Sequence, residues 1–247
     1  MDVDPILLVG AGLLGLCFGS FLNVCILRLA HEDKKQRSLF HPPSTIVSWL
    51  LLRGRCRACG QPISKQYPII EALVAILWIA ALLAYGPTVR FLAAAALGTI
   101  LLGIAITDAR HYLIPDEYNW AGLIIGLGLS LAGGVTGFVH AVLGACTGFL
   151  LLYLVGLVGG WVFREEAMGG GDIKMMAMVG AFVGWKGVLL TVFAGALFGS
   201  LVYVPLLLLR KRKRHVPFGV FLAMGATVVF VFGDAIIDWY VRFLRAG

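Results

Sequence analysis

Residues 91–108 read FLAAAALGTILLGIAITD, an unbroken apolar run that ends on a carboxylate. A stretch of that length, uncharged until its last residue, suffices to cross the hydrocarbon core of a bilayer as a helix. A helix is also the form that satisfies its own backbone groups where no water is present. Comparable runs lie near 5–29, 68–85, 118–136, 138–163, 187–209 and 217–239, with the quoted one covering 89–107, and a shorter one fills 173–185. Over all 247 residues, 60% are apolar and only 13% charged, far from the balance of a soluble domain. The expected fold is all-α, a polytopic membrane helix bundle embedded in the lipid bilayer.

Charge orients the bundle, because cytoplasmic loops collect Lys and Arg. The opening MDVDPILLVG is acidic and lacks the basic start of a cleavable signal, so the first run is expected to stay as a span. The next connection carries Arg28, Lys34, Lys35, Arg37, Arg53, Arg55, Arg57 and Lys65, which places it inside and the N-terminus outside. Alternation then puts 85–90 outside, 108–117 inside, 133–137 outside and 164–172 inside. If 173–185 crosses, the densest basic run, RKRKR at 210–214, falls inside as the rule demands. The expectation is therefore eight spans with both termini outside. Residues 1–89 form a first part, two spans and a large cytoplasmic loop at about 30–67, and 90–247 a six-span part. Within the loop, 44–52 (STIVSWLLL) is too short to span and suits the membrane interface. The net charge of +7 does not imply a nucleic-acid partner, since the basic residues lie between apolar runs and form no stripe.

Topology also sorts the acidic residues. Asp2, Asp4, Asp234 and Asp238 face outside, Glu32 and Asp33 sit in the basic loop, and Glu165 and Glu166 neighbour Arg164. Glu71, Asp108, Asp116, Glu117 and Asp172 remain, at or just inside the cytoplasmic ends of spans, where an ionisable group is costly and is a functional candidate. Asp108 closes the quoted run. Asp172 follows Gly169-Gly170-Gly171 at the start of an apolar helix, where a carboxylate is stabilised and the glycines permit close backbone approach. Taken singly, each has an ordinary explanation: Asp172 as a helix cap, Asp108 as a helix end paired with Arg110. Together they lie on one membrane face at one depth. Two carboxylates brought close cannot both ionise, so one keeps its proton while the other serves as base toward a water. Competing hydrolytic signatures are missing: there is no Gly-x-Ser-x-Gly, and His31-Glu32 lacks the second His of a zinc-protease helix.

The chain resembles the bacterial type IV prepilin peptidases in five places: GSFLNV at 19–24; SWLLLRGRCRACGQPIS and QYPIIE within 48–71; Asp108 with Ile114-Pro115-Asp116; GGGDIK at 169–174; and Pro217-Phe218-Gly219. The motifs run in order from the first span to the last. The resemblance implies a membrane aspartyl endopeptidase of the bacterial inner membrane. Its catalytic pair is Asp108 and Asp172, and the substrate segment unwinds beside the Gly169, Gly170 and Gly171 turn. Lys174 is a candidate to bias the charge at Asp172, or it simply marks the inside face. The resemblance further implies cleavage of prepilin and type II secretion pseudopilin leaders after a glycine, then N-methylation of the new terminus with S-adenosylmethionine.

One departure concerns metal. The family usually carries two Cys-x-x-Cys pairs in the large loop, and this chain has only Cys56 and Cys59, with SLFHPPST where the first pair would stand. A structural zinc site wants four ligands. His31 and His41 are the residues available to complete Cys56 and Cys59, and absence of zinc is the expectation. Gly10, Gly12 and Gly15 spell Gly-x-Gly-x-x-Gly, but a dinucleotide fold needs a strand–turn–helix unit, and packing of small residues between helices explains them better. A proton-coupled transporter is the rival reading; it predicts carboxylates at the midplane and a repeated pattern in both halves, neither of which is seen. A peptidase of the same dyad acting on other substrates would leave the first-span motif and the cysteine loop unexplained.

Overall fold

The computed structural model describes residues 3–29, 49, 54–55, 63–165, 168–208 and 217–246. Helices supply every long element among them: α1 (Pro5–Leu29), α2 (Gln66–Tyr85), α3 (Val89–His111), α4 (Asp116–Ser130), α5 (Gly134–Phe163), α6 (Gly170–Leu208) and α7 (Phe218–Ala246). Six stretches are long and apolar enough to cross a membrane: Pro5–Leu29, Gln66–Tyr85, Val89–His111, Asp116–Val162, Gly170–Leu206 and Phe218–Arg245. Two of the six are divided by glycines in a left-handed or extended backbone. A 3-10 turn at Leu131–Gly133 and Gly134, with φ 69°, separate α4 from α5. Gly184, with φ 69° and ψ 175°, interrupts α6, so the run expected over 173–185 ends at a real break. Hydropathy alone cannot register either interruption, because glycine is nearly neutral on such scales.

The chain forms two compact units, Met1–Thr99 and Ile100–Gly247, with the division inside α3. In the first, α1 packs on α2 through Gly15 and Gly19. A methyl on either would fall 2.6 Å from Ala75 Cα or 2.7 Å from Glu71 Cα, so the two backbones touch. Gly10, Gly12 and Gly15 therefore belong to a helix, and no strand–turn–helix unit is built from them. Glu71 is 1% exposed in that seam, and buried Asn23 donates from Nδ2 to the Tyr67 carbonyl at 3.1 Å. Trp78 stacks on Phe18 and donates from Nε1 to Thr99 Oγ1 at 3.1 Å, which gives its polar edge a buried partner.

In the second unit α6 is the central element, packed against α4, α5 and α7. Gly144 on α5 and Gly180 on α6 face each other's carbonyl oxygens, and Gly148 faces that of Met176, with no room for a Cβ at any of the three. Met175, Met176, Met178 and Val179 are fully buried in this core.

Candidate active site

The quoted run continues as helix α3 to its last turn, where Thr107 is fully buried and Asp108 is 6% exposed. Thr107 satisfies its hydroxyl on its own helix, donating to the Gly103 and Ile104 carbonyls at 3.0 Å each. Tyr112 then takes φ 54°, a left-handed conformation uncommon for an aromatic residue, while its N–H bonds the Asp108 carbonyl at 2.9 Å and closes the helix. Pro115, at φ −60° and ψ 135°, starts α4.

The carboxylate of Asp108 caps a helix distant in sequence. Its Oδ2 accepts the Val220 amide of α7 at 3.1 Å, and the Gly219 amide also interacts with it. The first amides of a helix lack intrahelical partners and carry the positive end of its dipole, so this is a built anion position. The carboxylate packs directly on Gly219: a methyl there would lie 2.8 Å from Asp108 Oδ2 and would force a side chain to shift.

Asp172 stands in the first turn of α6, its N–H bonded to the Gly169 carbonyl at 3.2 Å. Its Oδ1 is buried without a hydrogen-bond partner among the described residues. Asp172 and Asp108 are close enough to interact electrostatically. The two carboxylates singled out in the sequence thus lie within electrostatic range of each other, on separate helices of one unit.

The other residues expected here divide differently. Gly171 is pressed against Ile114, whereas a methyl on Gly170 would meet nothing within 4 Å and one on Gly169 would lie 3.3 Å from Asp172 Oδ2. Lys174 pairs with Asp116 Oδ2 at 2.6 Å, an exposed ion pair, so its ammonium is engaged away from Asp172. Two participants carried no signal of role in the sequence. Asn119, 3% exposed on α4, donates from Nδ2 to the Gly171 carbonyl at 3.5 Å. The amides opening α7 lie behind Pro217-Phe218-Gly219, a motif that carried a family likeness without a function.

Cys56 and Cys59, with His31 and His41, lie outside the described residues. Among the described residues no group of three or more His, Cys, Asp or Glu is placed to hold a metal. Elemental analysis of the purified full chain is expected to give clearly less than one zinc per chain. Stoichiometric zinc lost on Cys56→Ser would show that a histidine or a second molecule completes the site.

Fold and site define a class: an all-helical protein of multi-pass membrane type in which carboxylates on two separate apolar helices interact. Residues 95–204 match the type IV leader peptidase family, and residues 13–85 match the bacterial peptidase A24 N-terminal domain. A relative from Myxococcus xanthus is 35% identical over 219 residues, 84% of this chain and 65% of its own. Relatives from Aeromonas hydrophila and Xanthomonas campestris are each 33% identical over 270 aligned positions, covering 93% of this chain and 92% and 93% of theirs. All three are named prepilin leader peptidase/N-methyltransferase. No solved structure matches the chain. The chain belongs to the type IV leader peptidase family and is an enzyme of the peptidase kind.

Proposed function

We propose that this chain cleaves the leader of prepilins and type II pseudopilins at the cytoplasmic membrane face, with Asp108 and Asp172 as the catalytic dyad. The observation that supports the reading is the electrostatic interaction of these two carboxylates, one seated on the amides of α7 and the other on the glycine turn of α6. Two backbone amides, Val220 and Gly219, serve the Asp108 carboxylate against one, Gly169, at Asp172, whose Oδ1 is left without a donor, so the ionised form is favoured on Asp108 and the shared proton on Asp172. Asp108 then takes a proton from a water as that oxygen attacks the scissile carbonyl carbon, and Asp172 gives its proton to the carbonyl oxygen. When the tetrahedral intermediate collapses, the C–N bond breaks, the leaving amine takes the proton held on Asp108, and a hydroxyl of the intermediate returns its proton to Asp172 as the carbonyl re-forms. Gly169 and Gly170 offer an exposed backbone surface beside Asp172 for an extended substrate.

The relatives' names support a second activity, N-methylation of the new terminus, for which the family resemblance implies S-adenosylmethionine as donor. No described residue is assigned to that step. Incubating the purified chain with a prepilin and a labelled methyl donor tests both activities at once: loss of the leader reads the first and label on the product the second.

The enzyme is further proposed to sit in the inner membrane with eight spans and both termini outside. The breaks at Gly134 and Gly184 support this reading by dividing two long stretches into four helical segments. Cysteine labelling in intact cells is expected to place positions near 40 and 212 inside and 247 outside. Labelling of 212 from the outer side would sink the eight-span arrangement.

A further inference from the structure

The glycines that flank the two aspartates converge on one side chain. Ile114 is 7% exposed, in the short connection between α3 and α4. A methyl placed on Gly171 would lie 2.9 Å from Ile114 Cβ and 3.4 Å from its carbonyl oxygen. One placed on Gly219 would lie 2.7 Å from Ile114 Cδ1 and 2.8 Å from Asp108 Oδ2. Both backbones therefore bear directly on Ile114. Gly171 is bonded in sequence to Asp172, and Gly219 lies against the carboxylate of Asp108.

The spacer is itself held on both sides. Tyr112 fixes the exit from α3 and Pro115 the entry to α4, at φ −60°. Asn119, one turn into α4, holds the Gly171 carbonyl. A β-branched side chain is restricted at χ1, which fixes the Cβ that faces Gly171, while χ2 sets the Cδ1 that faces Gly219.

We propose that Ile114 is the positioning residue that sets the separation of Asp108 and Asp172, acting as a spacer between Gly171 and Gly219. The inference rests on the dyad reading and is tested so that the two can fail separately. Ile114 carries no group that takes part in the reaction. Its effect passes through the distance between two interacting carboxylates, and such a pair titrates in two steps whose spacing follows their coupling.

The experiment uses the full chain in detergent with a prepilin, comparing Gly219→Ala, Ile114→Val and the double variant, each checked for folding. In Gly219→Ala the new methyl crowds both Ile114 Cδ1 and Asp108 Oδ2, and the carboxylate is expected to shift. A fall in kcat of about 10-fold or more at little-changed KM is expected, since small misplacements at a reacting centre are costly. Ile114→Val removes Cδ1, the atom the methyl meets. Alone it should lower kcat only several-fold, yet change the separation between the two limbs of the kcat–pH profile by roughly half a unit or more. In the double variant the methyl settles into the vacated space, and kcat should recover at least about fivefold over Gly219→Ala, a departure from the additivity of distant, independent sites. Losses that simply multiply, or an Ile114→Val profile lowered in height with its limbs unmoved, would overturn the proposal; the profile decides even if Gly219→Ala does not fold. Asp108→Asn and Asp172→Asn run alongside: if either cleaves normally the dyad itself is wrong, and if both are dead while the spacer results fail, only the spacer falls.

Discussion

Asp108→Asn and Asp172→Asn should each abolish detectable prepilin cleavage, while Asp116→Asn retains most of it. All three aspartates lie near the same helix ends, and the structure separates them by environment. Asp108 is buried on the amides of α7 and interacts with Asp172, whereas Asp116 is half-exposed and paired with Lys174. Such a surface pair contributes about 0–1 kcal/mol, and losing it leaves fold and chemistry nearly unchanged. Loss of a dyad member removes both the shared proton and the base that activates water, and proton transfer alone is typically worth ~10²–10⁴-fold. Asparagine keeps the size of aspartate, so both dyad variants should remain folded, which unchanged detergent unfolding would establish. If Asp116→Asn is as dead as Asp172→Asn while Asp108→Asn cleaves normally, the pair has to be redrawn.

The helices were legible because each is a long apolar run, and a run of that length has one stable form in lipid. Their ends were less so. The sequence extends the fourth run through 136, but α4 stops at Ser130, since Gly133 and Gly134 turn the chain without changing its hydropathy. Asp108 and Asp172 could be singled out because a carboxylate on an apolar helix is costly and therefore conspicuous. Their surroundings could not. The Val220 amide that holds Asp108 lies 112 residues further along the chain. Ile114 is one aliphatic residue in a chain that is 60% apolar. Lys174 looked like a partner of Asp172 only by proximity in sequence. Residues two apart on a helix do not face each other, and Lys174 reaches across to Asp116 instead.

Gly180→Ala is expected to destabilise the protein far more than Gly156→Ala, although both add one methyl to an apolar helix of the same unit. At Gly180 the methyl would run into the Gly144 carbonyl and lie 3.0 Å from the Ala145 amide nitrogen. Those obstacles are backbone and cannot rotate aside, so α5 and α6 must separate. In lipid no hydrophobic force between helices offsets this; close packing is what holds them, and separation forfeits it along the whole seam. Overpacking of this kind costs about 3 kcal/mol or more when nothing can yield. At Gly156 the methyl would lie 3.5 Å from Met168 Cβ and 4.0 Å from Ile173 Cδ1, ordinary contacts. Replacing a helical glycine there should be neutral or gain roughly 0.5–1 kcal/mol. Because Gly180 lies two turns along α6 from Asp172, the first variant should also lose cleavage in proportion to the folded fraction, whereas the second should cleave as the parent does. Equal midpoints for the two variants in thermal or denaturant unfolding would show that α5 and α6 do not meet through their backbones at this point.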